Sequence, residues 1–375
     1  MIDTESRLRD FPTLRNETYL NTAAEGIPPL VVGEALQAYW HDKQLGMDGR
    51  VPHNARLESC RQVAARMIGL KPVEVSFCSC SSEAYNLLAS ALSLTGEDRV
   101  VITDLDFPAG ATPWLRARER PRVDLWRAAG SGELDVDDLV PLLGPATRLV
   151  QVSLVSFYNG FRLDWPAVRD AVRRVAPDAV LAVDVTQALG RIPTGCADAD
   201  IQISSTHKWA LGTHGGCVVG IPDDRSERLT SHAGGWFHLT NAFDADRFER
   251  AESRPGAPSF SVGMPNYPAI YALDAGLRYL ESVGLDAIAG HADPLVRRLA
   301  EGFDQLGLQL LAPYRADRPT GILAFRHERS AEIHETLRRE SIHVMHHAGR
   351  LRFAVHGYNT PGCIDHALEV LAGVL

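Results

Sequence analysis

The segment ADIQISSTHKWALGTHGGCVVGI, residues 199–221, contains two runs rich in β-branched residues on either side of a polar stretch. Such runs are typical of β-strands, so the segment predicts two strands joined by a loop. The loop contains Lys208, one of only three lysines in a chain of 375 residues. A surface lysine is the plain interpretation. The alternative is a chemical role, because a desolvated lysine can lose its proton and attack a carbonyl group, whereas arginine stays protonated.

Strand-like and helix-like segments alternate through the first two thirds of the chain. The strand-like runs are 74–79, 99–104, 122–126, 148–155, 179–185, 199–205 and 216–221. The amphipathic stretches between them include 83–92, 135–143 and 165–175, and two further helices are predicted at 31–45 and 55–69. Several strand-like runs are apolar nearly throughout, which is typical of strands covered on both faces. The alternation therefore predicts an α/β fold with a mostly parallel sheet between helices.

The rhythm changes after about residue 225. A stretch rich in glycine and proline at 253–268 precedes two helix-like segments and a smaller α+β pattern, which includes a strand near 342–346 and runs to the C-terminus. A chain of 375 residues also exceeds what one hydrophobic core usually supports. We therefore predict an N-terminal segment, 1–20, packed on the small domain, a large α/β domain over 21–255, and a small C-terminal α+β domain over 256–375.

Composition and charge restrict the class of partner. The net charge of −9 argues against nucleic acid or an anionic membrane surface as the main partner. No apolar run approaches the roughly 18 residues needed to span a membrane. The first residues lack the basic-then-apolar order of a signal peptide, and the six cysteines are scattered. These features predict a cytoplasmic protein with reduced thiols.

Polar and aromatic residues follow several of the predicted strands. Asp184 ends one strand, Lys208 follows the next, and a pair of serines, Ser81 and Ser82, lies between a strand and a helix. Ligands of open α/β sheets bind at the carboxyl ends of the strands, and helix N-termini favour anions. Taken singly, such residues are more often turn or N-cap residues. Together with Phe107, they fit one ligand that carries a phosphate, a ring and an aldehyde.

With these residues in place, the sequence resembles the class V aminotransferase family of fold-type I pyridoxal-phosphate (PLP) enzymes. The family includes cysteine desulfurases, kynureninases, isopenicillin epimerases and carbon–sulfur lyases, and the resemblance spans nearly the whole chain. The motifs that carry it are YLNTAAEGIPP (19–29), FCSCSSEAYNLLA (77–89), VDVTQALGRIP (183–193), SSTHKWALGTHGG (204–216) and LRFAVHGYNT (351–360). The resemblance implies a fold-type I large domain with a small C-terminal domain. It also implies a homodimer with the active site near the subunit interface.

The resemblance further implies a role for each matched residue. Lys208 would bond covalently to the cofactor aldehyde and then move the substrate α-proton as general base and acid. Asp184 would pair with the pyridine nitrogen, and Arg352 would bind the carboxylate of a small amino-acid substrate. The remaining cofactor contacts would be Ser81, Ser82, Ser205 and His207 at the phosphate, Phe107, Thr186 and Gln187 at the ring, and Trp236 beside the phosphate or substrate.

Departures from the family pattern reduce the number of candidate reactions. Phe107 stands where desulfurases have a histidine, and the segment before Arg352, ESIHVMHHAGRLRF (340–353), contains no cysteine. Sulfur transfer is therefore disfavoured, and we expect β-elimination that breaks the carbon–sulfur bond of an S-substituted cysteine. Transamination, epimerisation and decarboxylation coupled to amine oxidation stay open. Arg350 shares a strand face with Arg352, yet we expect it to matter far less.

Two other classes of protein deserve comparison. A catalytically silent binding module is disfavoured, since Lys208, Asp184 and Arg352 are all retained. A metal-dependent hydrolase is weaker still. The histidines of HVMHH (343–347) have no accompanying acid, and Cys78 and Cys80 have no second pair, so no metal site is predicted.

Overall fold

Eleven α-helices and twelve β-strands are present in the computed structural model, which describes residues 2–375. The helices are α1 (Thr4–Asp10), α2 (Leu30–Gln44), α3 (Arg50–Ile68), α4 (Ser81–Leu92), α5 (Pro108–Arg116), α6 (Val136–Leu139), α7 (Trp165–Val175), α8 (Tyr267–Val283), α9 (Leu285–Gln305), α10 (Ser330–Arg339) and α11 (Pro361–Val374). The strands are β1 (Thr18–Tyr19), β2 (Val75–Cys78), β3 (Arg99–Thr103), β4 (Arg122–Trp126), β5 (Thr147–Ser153), β6 (Val180–Asp184), β7 (Ile201–Ser205), β8 (Cys217–Gly220), β9 (Ile322–Arg326), β10 (Ile342–His343), β11 (Met345–His347) and β12 (Arg350–Ala354).

A seven-stranded sheet forms the centre of the molecule, in the order β2-β8-β7-β6-β5-β3-β4. Strands β3 to β7 pair in parallel, whereas β8 runs antiparallel to both of its neighbours. The side chains of β2, β7 and β8 are all buried, as expected for strands with helices on both faces. The prediction of an α/β fold with a mostly parallel sheet is confirmed.

The order of the strands determines where side chains can meet. In β6 and β7, Asp184 at the end of one strand pairs with Ile203 of the other, so both strands end at the same edge of the sheet. Lys208 lies three residues beyond the end of β7. On the other side of β6, Asp184 pairs with Ser153, the last residue of β5. The carboxyl ends of three adjacent strands therefore form one edge, as binding sites in such sheets require.

The C-terminal part contains a second, three-stranded antiparallel sheet in the order β11-β12-β9. Its apolar side chains pack with α9, α10 and α11 in a separate core, which also includes Leu20. Strand β1 pairs in parallel with β10, so the N-terminal segment lies against this C-terminal part. Helix α8 contacts α2 and α3 instead. The exact domain boundaries at residues 20 and 255 stay a prediction.

Two predicted elements are shorter than expected. The helix predicted over 135–143 divides into α6 and a 3₁₀ turn, Val140–Leu142, because Pro141 cannot donate the backbone hydrogen bond that would continue the helix. The strand predicted near 342–346 is split into β10 and β11 around Val344. None of the helices within residues 2–375 combines the length and apolarity needed to cross a bilayer.

A close backbone contact joins the N-terminal loop to the loop that carries Lys208. The N–H of Gly26 donates to the carbonyl of His207 at 2.8 Å. A Cβ atom on Gly26 would lie 1.9 Å from the carbonyl oxygen of Lys208. Only glycine permits this approach, so Gly26 holds the two loops together.

We expect Gly26→Ala to lower the free energy of unfolding by about 1–3 kcal/mol or more, because one backbone segment must move away from the other. The matched control is Gly33→Ala in α2, where an added Cβ has no atom within 4 Å. That change should raise stability by about 0.5–1 kcal/mol, since alanine is the better helix former. Urea unfolding of the three proteins measures both effects. Equal stability of Gly26→Ala and the wild type would contradict the close contact.

Candidate active site

A cavity of about 420 Å³ opens at the edge where β5, β6 and β7 end. Its other walls come from the start of α4, the start of α5, and the strands β11 and β12. Nine of the residues predicted from sequence line it: Ser81, Phe107, Asp184, Thr186, Gln187, Ser205, His207, Lys208 and Arg352. Ser82 and Trp236 do not line this cavity, and their contacts with a cofactor stay predictions. Trp236 is 40% exposed on the long loop before α8.

Lys208 is largely surrounded by protein, and its environment changes its acidity. Burial lowers the pKa of its amine from 10.5 to about 8; the negative charge of Asp184 opposes this shift, and the positive charge of Arg352 adds to it. The Nζ atom lies 5.4 Å from the centroid of the Phe107 ring. The amine is therefore mostly protonated at neutral pH, but its unprotonated fraction is far larger than that of an ordinary lysine, and this is the form that acts as a nucleophile or base.

Asp184 is fixed by hydrogen bonds to both of its carboxylate oxygens. The hydroxyl of Tyr85 donates to Oδ2 at 2.9 Å, and the backbone N–H of Thr186 donates to Oδ1 at 2.8 Å. Gln151 in turn donates to the Tyr85 oxygen at 3.2 Å. The resulting chain Gln151–Tyr85–Asp184 holds the carboxylate in one orientation. Sequence analysis missed Tyr85, although its position four residues after Ser81 puts both on one face of α4.

Neighbouring hydrogen bonds position Thr186 and Gln187 beside the carboxylate. The Thr186 hydroxyl accepts from the N–H of Ser205 at 3.0 Å and so links β6 to β7. The Gln187 side chain donates to the carbonyl of Ala23 at 3.0 Å and accepts from the indole of Trp209 at 2.6 Å. These two bonds identify the nitrogen and the oxygen of the Gln187 amide. The nitrogen carries two N–H groups, and the one that does not bond to Ala23 is left for a ligand.

The start of α4 supplies an anion site at another wall. Cys80 is the N-cap residue, and its side chain makes no capping hydrogen bond to the helix. The first backbone N–H groups of α4 therefore point outwards with the positive end of the helix dipole. His207 lies on the same cavity, where burial lowers its pKa to about 4, so its ring is neutral. The N-terminus of α4, the carboxylate of Asp184 and the amine of Lys208 thus surround one cavity. This set of groups fits the phosphate, the ring nitrogen and the aldehyde of PLP.

A possible metal-binding cluster was not foreseen from the sequence. One ligand atom each from Glu25, His207 and His214 lies within 4.8 Å of the others. Glu25 and His214 are separated by 189 positions, so no spacing motif reveals the group. His214 stacks on His207 with ring centroids 4.5 Å apart and contacts Glu25 at 3.1 Å. Because Glu25 and His214 are exposed and already paired, we assign no metal to the cluster.

Two arginines of β12 reach the cavity. Arg352 donates to the carbonyl of Phe157 at 2.7 Å, and Arg350 donates to the carbonyl of Tyr158. Both are buried, and both line the cavity. The two-residue spacing indicated a shared face, but the burial of Arg350 depends on the loop at 157–158, which the sequence pattern does not place.

The fold and the cavity define a fold-type I enzyme. The aminotransferase class-V family model matches residues 18–354, and the chain belongs to this family of PLP-dependent enzymes. PLP is accordingly its cofactor. This confirms the family, the fold and the cofactor that the motifs predicted.

Similar proteins and structures cover the chain along its length. An uncharacterized aminotransferase of Bacillus subtilis, YcbU, is 27% identical over 96% of this chain and 95% of its own. A probable cysteine desulfurase of Streptomyces coelicolor is 25% identical over 100% of this chain and 97% of its own. Two solved structures share the fold. An apo cysteine desulfurase from Thermococcus onnurineus has a TM-score of 0.89 at 23% identity, covering 100% of this chain and 98% of its own. The cystine C–S lyase C-DES, in complex with cysteine persulfide, has a TM-score of 0.88 at 22% identity, covering 97% and 99%.

The acidity of Lys208 predicts a pH-dependent effect on stability. The folded state disfavours the protonated amine, so Lys208→Met removes a destabilising contribution. That contribution is fully present below the folded pKa of about 8, and it declines as the pH rises towards the unfolded value of 10.5. We expect the cofactor-free variant to be more stable than the wild type at neutral pH, with a difference that shrinks in alkali.

Denaturant unfolding at about pH 7 and about pH 9.5 measures this difference. Lys43→Met is the control, because Lys43 is exposed and its replacement should change stability little at either pH. A wild type that is the more stable protein at neutral pH would mean that the cavity favours the charged amine.

Proposed function

We propose that this PLP-dependent enzyme cleaves the carbon–sulfur bond of an S-substituted cysteine by β-elimination. The conjugate loses its α-proton and its sulfur substituent as a thiolate. With one water molecule, the three-carbon remainder becomes pyruvate and ammonium, and the thiolate takes up a proton to become a thiol. Neither an oxidant nor a reductant is consumed.

In this proposal each of three cavity residues has a distinct role in catalysis or binding. PLP, when bound, supplies an electron sink for the negative charge that develops at the substrate α-carbon. Lys208 anchors the cofactor, and its amine takes the α-proton. Asp184, oriented by Tyr85, would face the pyridine nitrogen. Arg352 would bind the substrate carboxylate through the fork geometry of its guanidinium group.

The phosphate and ring contacts are proposed on the same basis. Ser81 at the start of α4 and Ser205 and His207 near β7 line the cavity beside the anion site. We propose that these three bind the phosphate, while Thr186 and Phe107 cover the ring. The free amide N–H of Gln187 would donate to the phenolic oxygen.

The main observation in favour of β-elimination is the aromatic wall next to Lys208. Phe107 packs edge to face on Phe157, with ring centroids 5.0 Å apart, and both line the cavity. A thiol has a pKa of about 8.5, so a thiolate can leave without a proton from a nearby acid. Such a wall suits a sulfur leaving group, whereas expulsion of an alkoxide needs a general acid.

The positions of the cysteines argue against sulfur transfer to a persulfide. Residues 341–351, which lead to Arg352, form β10, β11 and the start of β12 and contain no cysteine. Cys80 is the exposed cysteine of the six, and it lies at the start of α4.

We also propose that the protein is a homodimer. Large apolar side chains are unusually exposed: Trp40 is 60% exposed, Met47 70%, Phe243 81% and Phe248 88%. Phe243 contacts Trp236, with ring centroids 5.8 Å apart, so part of this surface is contiguous. Exposed apolar groups of this size are typical of subunit interfaces. Sedimentation of the holoenzyme tests the proposal.

Purified enzyme incubated with S-substituted cysteines should release thiol, pyruvate and ammonium in equal amounts, because one elimination yields all three. The measurement is parallel assay of the three products. A keto acid that keeps the sulfur substituent would indicate transamination, racemised substrate would indicate epimerisation, and carbon dioxide would indicate decarboxylation. Any of these outcomes without thiol contradicts the proposed reaction.

Cys80→Ser is the informative variant in the same assay. It lines the cavity, but elimination needs no protein thiol, so thiol release should continue at a comparable rate. Buried Cys217→Ser controls for effects of packing alone. Loss of turnover in a well-folded Cys80→Ser enzyme that still binds cofactor would restore the desulfurase interpretation.

Borohydride reduction of the holoenzyme should fix the cofactor to Lys208, since its amine is the one inside the cavity. Peptide mapping by mass spectrometry locates the label. Lys43 and Lys71 are exposed and serve as internal controls. Label on either of them in place of Lys208 would show that the anchoring lysine has been misassigned.

A further inference from the structure

Two arginine side chains in the cavity are deeply buried and have no acidic partner. Arg350 is 4% exposed and Arg352 is 3% exposed, and both line the cavity. Neither forms a salt bridge with any carboxylate of residues 2–375, and the Nε atom of each is buried without a hydrogen-bond partner. A buried charge without a partner is strongly unfavourable. The arrangement therefore calls for negative charge from a ligand.

The loop at Phe157 and Tyr158 holds both guanidinium groups in place. Each arginine donates to one backbone carbonyl of this loop, and Arg350 also lies over the Tyr158 ring, 4.1 Å from its centroid. These contacts use only part of the five N–H donors that each arginine offers. They orient the two side chains without neutralising them.

The charges of the lining residues also indicate that the cavity needs negative charge from a ligand. Asp184 is the one carboxylate in the lining, and the proposed function assigns both Asp184 and Lys208 to the cofactor. Arg350 and Arg352 are then the cations of the lining that have no carboxylate beside them. Burial lowers the pKa of Arg352 to about 10, and the neighbouring charge of Arg350 adds to this effect. Burial also lowers the pKa of Arg350. One substrate carboxylate would satisfy Arg352 and leave Arg350 unpaired.

The two arginines are equally buried but lie at different positions along β12. Arg352 lies opposite Met345 of β11, whereas Arg350 lies opposite His347, which is exposed, and all four side chains line the cavity. Met345 is the less exposed of the two partner residues, so Arg352 is at the inner end. Residues two apart on a strand are separated by about 6.6 Å, with Arg350 towards the opening.

We propose that Arg350 binds a second carboxylate, carried by the sulfur substituent of the substrate, so that the enzyme acts on amino acids with two acidic groups. Arg352 binds the α-carboxylate at the inner end, and the remainder of the molecule extends along β12 towards the opening. This assignment of substrate class rests on the proposed function. It gives Arg350 a direct role in specificity.

The test compares two ligands of nearly equal shape, S-carboxymethylcysteine and S-carbamoylmethylcysteine, which differ by one negative charge. Holoenzyme is used for turnover. The Lys208→Ala protein reconstituted with PLP is used for binding measured by calorimetry, because it lacks the amine that we assign as the base. The wild-type pocket should favour the acid over the amide by about ten-fold or more, the usual range for a hydrogen bond to a charged group.

Arg350→Met, made in both backgrounds, should weaken binding of the acid and raise its KM by about ten-fold or more, with little change for the amide. Arg352→Met should weaken both ligands. The matched control is Arg326→Met, since Arg326 is exposed, pairs across β9 and β12 with Arg350 and donates to the Tyr158 hydroxyl, yet does not line the cavity. It should leave the preference for the acid unchanged.

Two results separate failure of this inference from failure of the proposed function. If Arg350→Met weakens acid and amide equally, Arg350 only positions the loop or Arg352, and the second carboxylate site is overturned even when thiol release continues. If no ligand releases thiol, the proposed elimination fails. In that case the binding measurements would still support a second carboxylate site at Arg350, provided that the Arg350→Met change abolishes the preference for the acid over the amide.

Discussion

The parallel pairing of β6 with β7 is the constraint on which the rest of the structure depends. It brings the end of one strand, Asp184, next to the strand that leads to Lys208, with Asp184 opposite Ile203. Thr186 and Ser205 add a hydrogen bond between the two strand ends. A shift of this register by one residue would turn Asp184 away from the cavity, because successive side chains point to opposite faces. The acid and the amine are therefore set by backbone pairing before any side chain packs.

Much of this arrangement is predictable from the sequence because it follows the strands. The apolar runs before Asp184 and Lys208 identify β6 and β7, and the serine pair before a helical stretch identifies the start of α4. What the sequence does not reveal depends on packing between distant segments. Arg350 is buried only because the loop at Phe157 lies against it, and no local pattern encodes that contact.

Tyr85 is an intermediate case. Its place on the same face of α4 as Ser81 follows from helical spacing, but its hydrogen bond to Asp184 requires the distance between α4 and β6, which only the fold supplies. The local disagreements have identifiable causes. Pro141 shortens a predicted helix. The strand predicted near 342–346 divides at Val344 because β10 pairs with β1 whereas β11 pairs with β12.

The two sides of the cavity are prepared differently for a ligand. Asp184 has a hydrogen bond on each oxygen and needs little rearrangement to act. The arginines on β12 keep unpaired buried donors, so this wall is stabilised by ligand binding more than by its own contacts. Under the proposed roles, Asp184 would face the cofactor and the two arginines would face the substrate. A preorganised carboxylate and unpaired cations would then suit a site whose cofactor stays while substrates exchange.

The pairing of β1 with β10 has a consequence for biosynthesis. Thr18 and Tyr19 are synthesised long before their partners Ile342 and His343, because 324 positions separate the members of each pair. The central sheet, which consists of β2 to β8, can form while β1 still lacks its partner strand. A segment that is synthesised early thus reaches its final place late, only after β10 has been made.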